Sequence, residues 1–149
     1  MTDKTFGTLN HLIAVCRDGE DHYASAAEKV SDEGAKALFS EAAALHREIG
    51  AELQPLVRQA GGSPAEGGTL AGKTRQMVSS LKATFANDTE QTLASALEST
   101  EEAAVDALEK ALEEPIADQA RGLVAHSLEQ LRSVRDRVRQ LRHGMATTS

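Results

Sequence analysis

The chain has 149 residues, a formal net charge of −7 and 40% hydrophobic residues, which suits one folded domain rather than a disordered segment. A single cysteine excludes an internal disulfide and a thiolate zinc cluster, while an aromatic content of 3% and the acidic balance make a nucleic-acid partner unlikely. No apolar run reaches the roughly 18 residues of a membrane span, and the N-terminus lacks a secretory signal pattern, so we expect a cytoplasmic protein without a membrane partner.

Apolar residues recur every three or four positions along the first half of the chain, the spacing of amphipathic helices. The first predicted helix covers residues 6–30. Ser31-Asp32 caps a second helix, which Gly61-Gly62 ends. Pro55 lies inside this second helix, and because proline has no N–H group, it should kink the helix or end it early.

The second half of the chain contains one short helix and two further long helices. The glycine-rich segment 61–72 reads as a surface crossing, and a short amphipathic helix follows over residues 70–85. A third long helix covers residues 88–113. The joint Glu113-Glu114-Pro115 places proline at the first position of a fourth helix, and a loose tail begins at about residue 144.

Four long helices predict an all-α protein with one domain over residues 1–149. Each long helix has about 24 to 29 residues and therefore spans roughly 36 to 43 Å. Short joints make each pair of helices an antiparallel hairpin. The long crossover between the pairs, which carries the short extra helix, favours a ferritin-like four-helix bundle over an up-down-up-down bundle.

Two carboxylates occupy positions on otherwise apolar helical stripes, Glu20 in the first helix and Glu101 in the third. A bundle core excludes carboxylates unless something compensates for their desolvation. His126 in the fourth helix lies level with Glu101, and His46 and Glu52 lie in the middle of the second helix. This mid-bundle belt of carboxylates and imidazoles has the oxygen and nitrogen ligands that iron or manganese requires.

Two observations keep other interpretations open for this belt. The second helix has no Glu-x-x-His pair, and in the fourth helix the pair is reversed as His126 and Glu129, so the di-metal pattern is incomplete. Glu20 and Glu101 are alternatively ion-pair partners of a basic residue such as Arg47. Tyr23 is either a hydrogen-bonding phenol near the belt or a core residue with a satisfied hydroxyl.

Arginines recur along the last helix at steps of three and four, at Arg132, Arg135, Arg139 and Arg142. Such a stripe either contacts phosphate or an acidic partner or forms a solvated face that favours the negative end of the helix dipole. Cys16 lies one turn before Glu20, where a lone cysteine usually serves packing rather than chemistry. No phosphate-binding loop or nucleophile elbow occurs, and no catalytic residue is predicted.

The sequence resembles bacterial four-helix-bundle proteins of unknown function that are grouped with the ferritin and rubrerythrin superfamily. The resemblance runs from about Leu9 to Arg142. It rests on the order and spacing of Asp18-Gly19-Glu20, Tyr23, Ala26-Ala27-Glu28, Arg47, Glu52-Leu53-Gln54, Gly61-Gly62-Ser63-Pro64, Gly68-Thr69, Arg75, Leu81-Lys82, Glu98, Glu101-Glu102-Ala103, Gln119 and His126.

The resemblance implies a ferritin-like bundle, relatives linked to bacterial stress responses, and no particular substrate. The positions at which it coincides with the mid-bundle belt are the predicted metal ligands, with His46 as an alternative: Glu20, Glu52, Glu98, Glu101 and His126.

Two functional hypotheses follow from these patterns. The first is a non-enzymatic, stress-related or structural bundle that acts through self-association as a homodimer or higher oligomer, for which the alanine-rich flank Ala42-Ala43-Ala44 allows close helix approach. The second is a di-metal carboxylate protein that handles iron or peroxide. The incomplete ligand pattern favours the first hypothesis, and the two glutamates on the apolar stripes favour the second.

Overall fold

The computed structural model describes residues 5–64 and 90–147, with side chains described as far as Gly144. Over those residues it contains four α-helices and no strand: α1 (Thr5–Lys29), α2 (Glu33–Gln59), α3 (Glu90–Leu112) and α4 (Asp118–Thr147). The predicted all-α class and the four long helices are confirmed for this part of the chain. The short helix predicted for residues 70–85 lies outside the described residues.

The four helices form a bundle of two antiparallel hairpins, α1–α2 and α3–α4, with α1 packed on α3 and α2 on α4. Near the start of α1, the Asn10 amide donates a hydrogen bond to the carbonyl of Ser63, 2.8 Å away, so α2 ends at this end of the bundle. Beyond the other end of α1, the Glu90 carboxylate accepts a hydrogen bond from the backbone N–H of Ser31 at 2.7 Å. The end of α2 and the start of α3 therefore lie at opposite ends of the bundle, and these two helices run in the same direction.

The limits of α2 follow its capping residues, as the sequence predicts. The Asp32 side chain accepts a hydrogen bond from the backbone N–H of Ala35 at 2.8 Å, which satisfies one of the free donors of the first turn. Gly61 follows the helix with a φ of 91°, a left-handed conformation that glycine adopts without a steric penalty. The expectation that Pro55 would end α2 early is wrong, because the helix continues to Gln59. Pro55 is exposed, so water can satisfy the carbonyl that its ring leaves without a donor.

The boundaries of α4 differ from the sequence prediction at both ends. The helix begins at Asp118, so Pro115 lies in the joint and not at the first helical position. The joint is longer than predicted for two reasons. Ile116 is buried in the core, and the backbone N–H of Ala117 donates to the Thr5 hydroxyl at 3.1 Å. At its other end α4 continues to Thr147, beyond the predicted start of the tail at about residue 144. Neither a proline nor a capping motif interrupts its hydrogen bonds there.

Two groups of buried apolar side chains form the core, one toward the start of α1 and the other toward its end. The first includes Leu9, Ile13, Leu53, Leu108 and Leu131. The second includes Phe39, Leu97, Val134 and Val138. Polar side chains with little or no solvent exposure, His22, His46 and Glu101, belong to neither group and lie along the middle turns of the helices. No helix in the described part of the chain is long and apolar enough to cross a membrane.

Candidate functional site

Three fully buried polar side chains from three helices bond to one another in the middle of the bundle. We call Tyr23 of α1, His46 of α2 and Glu101 of α3 the core polar cluster. The Tyr23 hydroxyl donates to Oε2 of Glu101 at 2.6 Å. Nε2 of His46 lies 2.9 Å from the same oxygen and 3.2 Å from Oε1. Glu101, the glutamate on the apolar stripe of the third helix, therefore bonds to a phenol and an imidazole, whereas the sequence suggested a basic partner such as Arg47.

Gly19 makes room for the imidazole of His46 between α1 and α2. A Cβ atom at position 19 would overlap Nδ1 of His46 and stand 2.6 Å from its Cε1, closer than real Cβ contacts. The absence of a side chain at Gly19 thus allows the ring to lie flat against α1 and to reach across to Glu101. The ring of Tyr23 packs beside the imidazole, with ring centroids 5.5 Å apart.

Burial and the negative charge of Glu101 keep the hydroxyl of Tyr23 protonated. Burial raises the pKa of Tyr23 above its ordinary value, and the charge of Glu101 together with the hydrogen bond to it raises this pKa further. The phenol therefore serves as a hydrogen-bond donor to Glu101. A carboxylate at the centre of the bundle that accepts from a phenol and an imidazole has its desolvation cost partly offset.

His22 adds a second buried imidazole one position before Tyr23. Its Nδ1 lies 3.1 Å from the hydroxyl oxygen of Thr100, which itself donates to the carbonyl of Ala96. Since that hydroxyl proton is engaged, Nδ1–H of His22 is the donor in this contact. Burial lowers the pKa of His22, against the opposing effect of Asp18 and Asp21, so the ring is neutral at neutral pH.

Cys16 is buried beside the core polar cluster as a protonated thiol. Burial raises the pKa of Cys16 to about 12, and the negative charge of Glu101 acts in the same direction. A thiol in this state is neither a nucleophile nor a metal ligand at neutral pH. The residue packs with the apolar side chains of the first core group, in agreement with the packing role inferred from the sequence.

The structure separates most of the predicted metal ligands. Glu52 and His126 lie on the exposed surfaces of α2 and α4. Glu20 is half-buried at the boundary between α1 and α2 and directly follows the buried Gly19 in the chain. Glu101 and the alternative ligand His46 are brought together in the core, where they bond to each other.

Glu98 faces α4, where two arginines of the predicted stripe neutralise it. Its carboxylate accepts from Nε of Arg142 at 2.6 Å and from Nε of Arg139 at 3.2 Å. The hydrogen bond from Arg142 is the largest cause that lowers the pKa of Glu98. Arg139 also donates to Glu102 at 2.7 Å, so this part of the arginine stripe ties α4 to α3.

A di-metal centre of the kind that the resemblance implies does not fit these side chains. Among the described residues, no group of three or more His, Cys, Asp or Glu side chains could hold a metal ion. The Glu101 oxygens already accept from Tyr23 and His46, and the remaining carboxylates of the predicted belt point elsewhere.

Sequence reasoning missed two residues of this region, His22 and Gly19. His22 stands next to Tyr23 on an apolar face, and a polar residue in phase with the core was the signal that identified Glu101. Gly19 gives a different signal: a glycine in the interior of a long helix costs stability, so its presence points to a close approach by a neighbouring group.

The first three helices match a known family. The model of the family described as "Domain of unknown function (DUF2383)" covers residues 4–114, well over half of the chain. The chain belongs to this family. The part that matches DUF2383 contains the whole core polar cluster, whereas α4 begins after its last matched residue. Comparison with curated proteins gives no match.

Proposed function

We propose that this DUF2383 chain is a non-enzymatic helical bundle that acts through association, first of all with a second copy of itself. The observation that carries the proposal is that Tyr23, His46 and Glu101 bond to one another in the middle of the bundle. Glu101 accepts from Tyr23 and His46, the Tyr23 phenol is protonated, and the Cys16 thiol is protonated as well. The protonated phenol and thiol therefore supply no activated nucleophile.

The surface at the start of α1 supports self-association. Phe6 is 44% exposed, although large apolar side chains are normally buried. Beside it, a groove of about 420 Å³ between α1 and the end of α3 is lined by apolar groups that include Leu12, Ala107 and Ala111. The projecting ring of one chain can fit the apolar groove of a second chain. Two-fold pairing would therefore insert each Phe6 into the groove of the other chain.

Charges on the rim of this groove are also self-complementary. Lys110 and Glu114 both line it, so an antiparallel pairing brings opposite charges together across the two-fold axis. Lys110 is highly exposed and lies 3.0 Å from Asp106 of its own helix, and its ammonium group keeps further N–H donors for Glu114 of a second copy.

Light scattering at several protein concentrations tests this proposal. We expect the 15.8 kDa chain to form a dimer, and Phe6→Asp to shift it to a monomer because the charge would have to be buried in an apolar groove. Ala24→Asp is the matched control, since it adds the same charge at an exposed position of α1 far from the groove. A monomeric wild-type protein, or a Phe6→Asp variant that remains dimeric, would contradict the proposal.

Two finer features belong to the same proposal. We assign residues 1–149 to one ferritin-like domain, an assignment that the common direction of α2 and α3 supports. We also assign the protein a stress-related or structural role, which rests on the resemblance of the sequence to stress-associated bundles. Growth of a strain that lacks the protein, compared with its parent under oxidative and osmotic stress, tests the role. Equal survival under both stresses would remove the stress-related part.

The second candidate function is a di-metal carboxylate protein that handles iron or peroxide. One observation favours it: Glu101 and His46 combine a carboxylate and an imidazole at the centre of the bundle, both fully buried. Metal analysis of protein produced with iron or manganese distinguishes the candidates. We expect no stoichiometric metal, whereas about two ions per chain would favour the di-metal function.

A further inference from the structure

A small cavity lies between α1 and α2, next to the core polar cluster. Its volume is about 90 Å³, the room of roughly three water molecules. Cys16, Arg17 and Glu20 line it from α1, and His46, Arg47 and Gly50 line it from α2. Arg47 is exposed and Arg17 and Glu20 are half-buried, so the cavity extends from the buried imidazole of His46 toward the surface.

The cavity exists partly because position 50 has no side chain. A Cβ atom at Gly50 would stand 3.5 Å from Cβ of Cys16, an ordinary contact, so the glycine is not required by crowding. Glycine in the interior of a helix costs roughly 1 kcal/mol relative to alanine. The chain thus carries a destabilising residue at a place where alanine would fit, and the effect is to leave the cavity wider.

Two residues that line this cavity each carry a buried polar atom without a hydrogen-bond partner among the described residues. Nδ1 of His46 and Nε of Arg17 are both buried and make no hydrogen bond with any described residue. Buried polar atoms in folded proteins almost always have a partner, which is often a water molecule or an ion. His46 is fully buried and its Nε2 is committed to Glu101, so a partner for Nδ1 has to lie between Gly19 and the cavity that the ring lines.

The donor and acceptor pattern of these atoms defines the chemistry that fits. Nε–H of Arg17 requires an acceptor, and a guanidinium favours an anionic oxygen. Nδ1 of His46 accepts a hydrogen bond when the ring is neutral and donates one when the ring is protonated. Two arginines and the carboxylate of Glu20 line the cavity, and the charge of Glu101 lies behind the imidazole of His46. The volume excludes a nucleotide or a sugar phosphate.

We infer that this cavity binds a small oxyanion between Arg17 and His46, and that the anion has the size and shape of bicarbonate. One of its oxygens accepts from Nε–H of Arg17. Bicarbonate satisfies Nδ1 of His46 in either protonation state of the ring, because it carries one hydroxyl and two further acceptor oxygens. Glu20 in the cavity wall and Glu101 behind His46 both oppose anion binding, so the two arginines must outweigh both carboxylates.

Binding of this anion would link α1 to α2 and thereby stabilise the folded state, by an amount that grows with the logarithm of the anion concentration. Thermal unfolding of the full chain tests this, with sodium bicarbonate, nitrate or formate against sodium chloride at one pH and one ionic strength. We expect a melting temperature that rises with bicarbonate relative to chloride and, above the dissociation constant, increases with the logarithm of the bicarbonate concentration. A rise with all three oxyanions supports the site and identifies Nδ1–H as a donor, whereas a rise with bicarbonate alone supports it and identifies Nδ1 as an acceptor.

Two pairs of variants locate the binding. Arg17→Met removes the charged donor but keeps the apolar stem, and we expect it to weaken the apparent affinity at least about tenfold. Arg58→Met is its control, at an exposed position of α2. Gly50→Ala narrows the cavity and should also weaken binding, whereas Gly122→Ala adds the same methyl group in open space on α4.

The nitrogen resonances of His46 give a readout at the proposed atom. We expect the Nδ1 signal of His46 to shift as bicarbonate is added, while that of the exposed His126 does not. Equal melting temperatures in oxyanion and chloride, or an Arg17→Met variant that keeps the full rise, would overturn the inference. These outcomes do not depend on the oligomeric state of the protein.

Discussion

The imidazole of His46 occupies the space that a side chain at position 19 would need. This close approach makes Gly19 a requirement of the core, whereas a Cβ atom at Gly7 of the same helix would meet open space. Gly19→Ala is therefore expected to lower the free energy of unfolding by about 1 to 3 kcal/mol, because the added Cβ would push the ring away from Glu101. Denaturant unfolding monitored by circular dichroism measures this change.

Gly7 in the same helix provides the control for Gly19. A Cβ atom at Gly7 meets nothing within 4 Å, so Gly7→Ala should stabilise the protein by up to about 1 kcal/mol through helix propensity. Equal effects of the two substitutions would show that the His46 ring adjusts without cost and that Gly19 is not needed for its position.

The protonated Tyr23 and Cys16 side chains make the fold sensitive to alkaline pH. The folded state raises both pKa values, that of Cys16 from 9.0 to about 12 and that of Tyr23 above 10.0. Above these ordinary values the unfolded chain releases protons that the folded chain retains. We therefore expect stability to be constant up to about pH 8 and to fall as the pH rises through 9 and 10, by up to about 1.4 kcal/mol per pH unit for each group.

The single tyrosine gives this prediction a direct readout. Because the chain has no tryptophan and no other tyrosine, the near-ultraviolet absorbance of phenolate reports Tyr23 alone. We expect the folded protein at about pH 11 to show no phenolate absorbance until it unfolds. In Tyr23→Phe, the loss of stability with rising pH should be less steep above about pH 10. A reversible phenolate titration near pH 10 in the folded protein would contradict the assigned burial.

At the scale of the helices, local sequence signals located most boundaries, and tertiary contacts decided the exceptions. The Asp32 cap and the Gly61 terminus are where the sequence predicts them, since both depend on backbone geometry that neighbouring residues dictate. The joint before α4 departs from the prediction because Ile116 is drawn into the core. A contact between residues distant in sequence leaves no local signal, so this shift was not predictable from the joint itself.

The candidate site also combines features that local sequence signals predict with features that only tertiary contacts decide. The helical stripe identified Glu101 as a core carboxylate and placed His46 at its edge. Choosing between a metal ligand and an ion-pair partner required the positions of three helices relative to one another. Helical phase is known only to within about a residue from sequence, which explains why Glu20 was predicted in the core but is half-buried at its boundary.

Pro55 removes one hydrogen bond from α2 without ending the helix. Its ring removes the hydrogen bond to the carbonyl of Ala51, yet the helix continues to Gln59. Pro55→Ala should restore that bond and raise the free energy of unfolding by about 1 to 3 kcal/mol. Part of this gain is offset because alanine gives the unfolded chain more conformational entropy than proline does. Glu52→Ala, at an exposed position one turn earlier, is the control and should change stability by less than about 0.5 kcal/mol. A destabilised Pro55→Ala variant would indicate that proline favours a bend that the bundle needs.

At the scale of the whole molecule, Glu101 joins the two hairpins. It lies on α3 and bonds to α1 and α2 across 78 and 55 residues of sequence, respectively. Glu101→Leu would strand the Tyr23 hydroxyl and the His46 imidazole in the core, at a cost of about 3 to 5 kcal/mol. Glu101→Gln keeps the shape and an acceptor for Tyr23, so its cost should be smaller.

Thermal and denaturant unfolding of the two Glu101 variants tests this difference. Glu101→Leu in a Tyr23→Phe background shows how much of the cost comes from the phenol, because a phenylalanine ring needs no hydrogen-bond acceptor at residue 101. If Glu101→Leu proves as stable as the wild type, the core polar cluster contributes nothing to stability and its bonds only compensate for burial.

The position of these bonds also restricts how the two hairpins can fit together. Leucine, valine and alanine dominate both core groups, and such side chains would pack almost equally well if one hairpin slid along the other by a helical turn. A slide of one turn moves Glu101 about 5.4 Å from Tyr23 and His46 and leaves three buried polar groups unbonded. The bonded arrangement is therefore the one alignment in which Glu101 meets both Tyr23 and His46, so the cluster selects a single register from a set that apolar packing alone leaves nearly degenerate.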